Sequence, residues 1–159
     1  MQYVIQLGKK AVGEVELVHE GLYDRICAQC ELQEGIYRLY LDTKSCFDSL
    51  GVPAPQNGML TLKKRVPAGR YSIDAESSFF LSQTEPWQKY EGQLPIIPNE
   101  WLRSDSSKGY LRLCEVLAPD QPLSLLPYFC FCRPYVLYGR QAVLFELTEE
   151  NRKRASAES

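Results

Sequence analysis

The chain has 159 residues, 45% apolar and 24% charged, the balance of a folded domain with a core rather than of a disordered polymer. Eighteen basic against twenty acidic residues leave a net charge of −2, so no global field recruits nucleic acid or an anionic membrane. The opening MQYVIQLGKK lacks a basic leader and a long apolar run, and LSLLPYFCFC is about half the ~20 residues of a spanning helix. These features predict a cytoplasmic protein with no membrane partner, whose six cysteines are thiols.

In chain order, YVIQL (residues 3–7) reads as a strand that ends in a Gly8-Lys9-Lys10 turn. In AVGEVELV, Val15 and Leu17 alternate with Glu14 and Glu16, and His19-Glu20-Gly21 breaks the run. LYDRICAQCEL resumes it, with Ile26, Ala28, Cys30 and Leu32 on one face and Tyr23, Arg25, Cys27, Gln29 and Glu31 on the other. Alternation with a period of two is the pattern of a half-buried strand. Gln33-Glu34-Gly35 turns into IYRLYLD, which is aromatic and β-branched and has no helical spacing.

LGVPAP cannot be a central strand, because Pro53 and Pro55 remove ladder donors. Asn57-Gly58 is the strongest turn dipeptide. MLTLKKRV leaves it with Leu60, Leu62 and Val66 inward, Thr61, Lys63 and Arg65 outward, and Lys64 marking an edge or the end of the pairing. From Glu76 to Gly109 the periodicity lapses, with Pro86, Pro95 and Pro98 as punctuation and one helical turn expected near Pro98–Leu102. YLRLCEVL returns to strand, and a short helix or 3₁₀ turn is expected from near Asp120. FCFCRPYVLY, a Gly139-Arg140 turn of type II′ and QAVLFEL predict a closing hairpin, and the polar TEENRKRASAES should fray.

The fold class is therefore all-β: an antiparallel meander, sandwich or barrel-like sheet with a long irregular middle and a C-terminal hairpin. Residues 1–75 form the meander, 76–109 connect, 110–148 form the hairpin unit packed on the first part, and 149–159 are a tail.

Chemistry is scarce. No G-x-S-x-G, P-loop, dinucleotide fingerprint or H-E-x-x-H is present, and His19 is the single histidine for any thiol or serine nucleophile. Cys27 and Cys30 with Cys130 and Cys132 match the ligand count of a structural zinc site. Alternation, however, points Cys27 and Cys30 to opposite faces, while Cys130 and Cys132 share one. The preferred reading is core cysteines and no cofactor, with zinc as the alternative. Lys63, Arg65 and Arg70 could contact phosphates, but at an exposed sheet edge they guard against strand pairing, so nucleic acid is disfavoured. Trp87, Tyr90, Trp101 and Tyr110 lie in or beside the irregular middle, where they either contact a partner or anchor the segment over the sheet.

GLYDRICAQC, followed by GIYRLYL, LGVPAP and LKKRVPAGR, resembles a group of small β-rich proteins of gut Gram-positive bacteria. The likeness runs through roughly the first seventy residues and, more faintly, the last hairpin. It implies a bacterial cytosolic protein and carries no catalytic residue to any position. The leading functional expectation is a non-enzymatic binding domain for a protein or peptide. The alternatives are a zinc-stabilised module and an enzyme with a cleft between the two β segments; homo-oligomerisation stays open.

Overall fold

A computed structural model of the chain describes residues 1–90, 92, 96 and 100–148. Among these residues the regular structure is thirteen strands and one 3₁₀ helix, which is the all-β class expected. The chain divides into two units, residues 1–84 and 85–159.

The first unit contains β1 (Gln2–Leu7), β2 (Lys10–Glu20), β3 (Tyr23–Cys30), β4 (Arg38–Asp42), β5 (Cys46–Gly51), β6 (Ala54–Gln56), β7 (Met59–Pro67) and β8 (Ser78–Ser82). Their order in the sheet is β6-β7-β3-β2-β1-β8-β4-β5. Neighbours are antiparallel except β1 and β8, which run parallel. The alternation read from residues 23–30 holds: Ile26, Ala28 and Cys30 are buried, while Tyr23, Arg25 and Gln29 are exposed. Pro55 sits on β6 at the end of the order, where a missing donor costs least. β6 pairs β7 only through Met59–Thr61, while on its other side β7 pairs β3 through Lys64 and on to Pro67, so Lys64 lies beyond the β6 pairing but does not end the ladder.

This sheet rolls on itself. A Cβ built on Gly51 of β5 would stand 3.3 Å from Leu62 Cδ1 of β7, although these strands are far apart in the order. The Tyr71 hydroxyl donates to Asp48 Oδ2 at 2.6 Å, and Arg70 Nη2 lies 3.6 Å from the same oxygen, which ties the segment after β7 to β5. The rolled interior holds Ile5, Val15, Ile26, Leu41, Leu60 and Phe79. A bulge helps the bend: Ile5 pairs Gly13 and Gln6 pairs Ala11, leaving Val12 extra. Gly13 has no room for a side chain. A Cβ there would overlap the Gln29 carbonyl oxygen and stand 2.8 Å from Cys30 Cα.

The second unit contains β9 (Gln88–Lys89), β10 (Leu102–Asp105), β11 (Arg112–Val116), the 3₁₀ helix (Leu126–Phe131), β12 (Arg133–Leu137) and β13 (Arg140–Glu146). Their order is β12-β13-β11-β10-β9, antiparallel throughout. One sheet face buries Leu113, Val143 and Phe145 beneath Leu125 and Tyr128, whose ring stacks on Phe145 with centroids 5.2 Å apart. Glu115 reaches the same side. Its Oε2 accepts the Ser124 N–H at 2.8 Å and its Oε1 the Leu125 N–H at 3.0 Å, all three residues being buried.

Several local expectations are corrected. The strand expected from Phe129 begins only at Arg133, because Leu126–Phe131 is 3₁₀ helix: Pro127 offers no ladder donor and Glu115 holds the backbone just before it. Cys130 and Cys132 therefore do not share a strand face: Cys130 is exposed in the helix, and Cys132 is half-buried at its end. The expected helical element exists but begins at Leu126 instead of near Asp120. The hairpin turn is Tyr138-Gly139, not Gly139-Arg140, since Leu137 pairs Arg140. Tyr138 and Gly139 have φ of 50° and 78°, the signs of a type I′ turn. Residues 76–109 are also more regular than their periodicity suggested, since β8, β9 and β10 all fall there. Of the helical turn expected near Pro98–Leu102, residues 98 and 99 lie outside the described set, as does the tail from Glu149.

Candidate binding site

The second face of the β9–β13 sheet carries most of the polar chemistry. Strand register puts Asp105 opposite Arg112 and Arg112 opposite Glu146, with Arg133 one diagonal step further on β12. Signs thus alternate across four neighbouring strands, the arrangement in which opposite charges support a sheet. Arg112 is buried, and its Nη2 and Nε donate to Asp105 Oδ2 at 2.6 and 3.2 Å. Its guanidinium carbon stands 4.8 Å from the centroid of the Trp87 ring. Arg133 Nη2 and Nε donate to Glu146 Oε1 at 2.8 and 3.0 Å, and the Tyr110 hydroxyl donates to Oε2 at 2.8 Å.

Burial pushes the Glu146 carboxyl up, but the Tyr110 and Arg133 hydrogen bonds and the Arg133 and Arg112 charges outweigh it. The group is held below the ordinary 4.5. A depressed folded-state pKa contributes stability that is complete above the unfolded value and is lost as pH falls through the folded one. Thermal unfolding recorded below pH 4.5 should show this loss for the wild type and a flatter dependence for Glu146→Gln.

Toward the other end of the same face the side chains part to form a cleft of about 270 Å³, lined by Glu85, Trp87, Trp101, Arg103, Val116, Leu137, Tyr138 and Arg140. Register explains the convergence: Arg103 pairs Cys114, two residues from Val116, and Arg140 pairs Leu137. Trp87 separates ladder from cleft, its ring also 6.5 Å from Tyr135. Glu85 Oε1 accepts the Trp87 N–H at 3.2 Å and the Tyr138 hydroxyl. Arg140 lies over Trp101, 4.9 Å from the ring centroid. Arg103 Nη1 donates to the Leu102 carbonyl at 3.1 Å. Neither Arg103 nor Arg140 has a carboxylate partner among the described residues. Burial decides what each arginine–tryptophan pair is for. A desolvated cation–π contact such as Arg112–Trp87 is worth about 2 kcal/mol and is structural, whereas an exposed one such as Arg140–Trp101, at roughly 0.5–1 kcal/mol, yields readily to a ligand.

Of the residues singled out in the sequence, Trp101 lines the cleft and is half-buried. Trp87 lines it as an interior wall, only 2% exposed, and Tyr90 is 4% exposed in the core; neither is a projecting contact aromatic. They anchor the segment instead. Tyr110 is engaged with Glu146. Lys63 and Arg65 are exposed on the outward face of β7, with Arg65 stacked 5.3 Å from Tyr23, and Arg70 belongs to the Asp48 closure. Glu85, Arg103, Tyr138 and Arg140 were not singled out. The sequence offers Arg140 as a turn residue, and only the strand register reveals that it begins β13 beside Trp101.

The cysteines divide. Cys30 and Cys114 are buried, Cys27, Cys46 and Cys132 are half-buried, and Cys130 is exposed. Cys27 pairs Lys63 and Cys30 pairs Leu60 three steps along β3, on opposite faces, so this pair cannot turn toward one ion. No group of three or more metal-ligating side chains is gathered among the described residues. Burial pushes the Cys114 thiol up to about 12 and that of Cys132 up to about 11, with Glu115 adding to both, so each stays protonated at neutral pH. Iodoacetamide labelling followed by mass spectrometry should modify Cys130 first and reach Cys30 and Cys114 only after denaturation.

A second concavity, of about 320 Å³, lies on the first unit beside the bulge, where Glu14 and Glu31 stand near Val4 and Met59. His19, the single histidine, is exposed with Nδ1 2.8 Å from Asp24 Oδ1. Among the described residues no helix is long and apolar enough to cross a membrane. In comparison with known proteins, the chain matches no family model, no curated protein and no solved structure.

Proposed function

We propose that the chain is a non-enzymatic β-domain that binds a protein or peptide through the cleft formed by Trp87, Trp101, Arg103, Tyr138 and Arg140. The observation that carries this reading is Tyr138. Two hairpins use a type I′ turn with closely similar backbone angles: Asn57-Gly58, at φ of 52° and 78°, and Tyr138-Gly139, at 50° and 78°. Asparagine is a preferred residue for that position. Tyrosine there bears a strain of about 1–2 kcal/mol, and strain of this kind concentrates at ligand-contacting positions. Here the strained residue puts its ring on the cleft and its hydroxyl on Glu85.

Size argues in the same direction. At about 270 Å³ the cleft falls just below the roughly 300–1,000 Å³ typical of small-molecule sites, and suits one or two side chains of a polypeptide. The exposed histidine near the end of β2 and the protonated Cys114 and Cys132 thiols support binding over nucleophilic chemistry. Thiols rather than disulfides support a reducing, cytosolic setting.

Selection from a displayed library of random peptides tests this reading, using wild type, Tyr138→Asn and Trp101→Ala. The wild type should enrich related sequences. Tyr138→Asn should be no less stable, since the turn relaxes, yet should enrich them poorly, as should Trp101→Ala. No enrichment by folded wild type, or enrichment indifferent to both substitutions, rejects the proposal.

A further inference from the structure

We infer that the cleft recognises an acidic peptide segment, in which a carboxylate meets Arg103 and Arg140 and the neighbouring apolar side chain packs on Trp101. This rests on the binding reading above and names its ligand class. Three observations carry it. Both guanidiniums line the cleft, and neither has a carboxylate partner among the described residues. The acid that shares the cleft, Glu85, accepts from the Trp87 backbone N–H and the Tyr138 hydroxyl and pairs with neither arginine, so two guanidiniums against one carboxylate leave the lining with a net positive charge. The walls are flat and apolar, formed by Trp87, Trp101, Val116 and Leu137.

A guanidinium is a planar array of donors that matches a carboxylate. Nucleic acid fits less well. The chain is net acidic, so a phosphate backbone gains no overall attraction.

Fluorescence anisotropy with two labelled, end-capped peptides tests the inference: one alternating leucine and aspartate, the other leucine and asparagine. A hydrogen bond to a charged group contributes about 1.5–3 kcal/mol, so the aspartate peptide should bind at least about tenfold more tightly. Arg140→Gln, at an exposed position where folding is not at risk, should remove most of that preference, as should Arg103→Gln. Raising salt from about 0.1 M to about 1 M should weaken the aspartate peptide far more than its analogue. Equal binding of the two peptides overturns carboxylate recognition but leaves a peptide-binding cleft in place. Binding of neither, when library peptides do bind, overturns this inference alone; failure of every peptide overturns the binding reading as well.

Discussion

Arg112→Ala is expected to destabilise the protein by about 3–5 kcal/mol, the range for breaking a buried ion pair by removing one partner. The Arg112 and Asp105 side chains are 2% and 4% exposed, so the aspartate cannot recover its lost partner by turning to bulk water. It retains the Ser107 hydroxyl on Oδ2 at 2.9 Å and the Ser107 N–H on Oδ1 at 3.2 Å, which hold its orientation without supplying a charge. Trp87 loses the cation over its ring in the same substitution. Arg112→Lys should recover only part of the loss, because an ammonium cannot donate along the sheet and stack on the indole together. A double variant, Arg112→Met with Asp105→Asn, should be markedly less damaging than the sum of the two single changes, since no buried charge is left alone. Denaturant unfolding of the four proteins measures this; strict additivity would show that the pair is not coupled.

Glu115→Ala comes next, with an expected loss of about 2–6 kcal/mol, from two buried N–H groups left without an acceptor at about 1–3 kcal/mol each. Glu115 takes the place of a helix cap. The 3₁₀ helix has no side-chain cap of its own at Leu125, and the β11 carboxylate grips the Ser124 and Leu125 amides from beneath. Releasing them should loosen Leu125 and Tyr128 over Phe145. Hydrogen exchange should report this locally, with faster exchange at residues 124–132 before any change in β1–β3. Glu115→Gln retains one acceptor oxygen and should lose less. If exchange rises evenly along the chain, Glu115 has no special hold on the helix.

How much of this was legible beforehand depends on how local the determinant is. The alternation of Ile26, Ala28 and Cys30 is a property of eight consecutive residues, and Asn57-Gly58 of two; both read directly and both hold. FCFC failed as a strand because its alternation of aromatic and thiol competes with Pro127 beside it and with Glu115, which lies more than ten residues upstream and arrives only through sheet register. Tyr138 failed for the opposite reason. Turn chemistry prefers glycine at the first position of a II′ turn, and nothing in the residues shows that a tyrosine has been placed in the left-handed region instead. The cleft is a register property too. Trp101 could be noticed as an aromatic, but Arg103, Val116, Leu137 and Arg140 converge only once β10, β11, β12 and β13 are paired. Trp87 is legible as an aromatic of the irregular middle, but that its ring faces the buried ladder and the cleft at once appears only with the strands paired.

The ladder and the cleft share one sheet face. Asp105, Arg112 and Glu146 fix Trp87 from one side, so the wall that a ligand would meet is set before it arrives, and preorganisation lowers the cost of binding. Substitutions in the ladder should therefore weaken binding as well as folding, whereas Arg140→Gln should weaken binding alone.

The most direct measurement is an amide and side-chain NMR titration with the leucine–aspartate peptide. The account predicts shifts concentrated at the Trp101 indole N–H, the Arg103 and Arg140 Nε–H groups and the amides of Leu137 to Arg140, with the outward face of β7 still. Shifts gathered instead around Lys63 and Arg65 would contradict it, and would move the binding surface to the first unit.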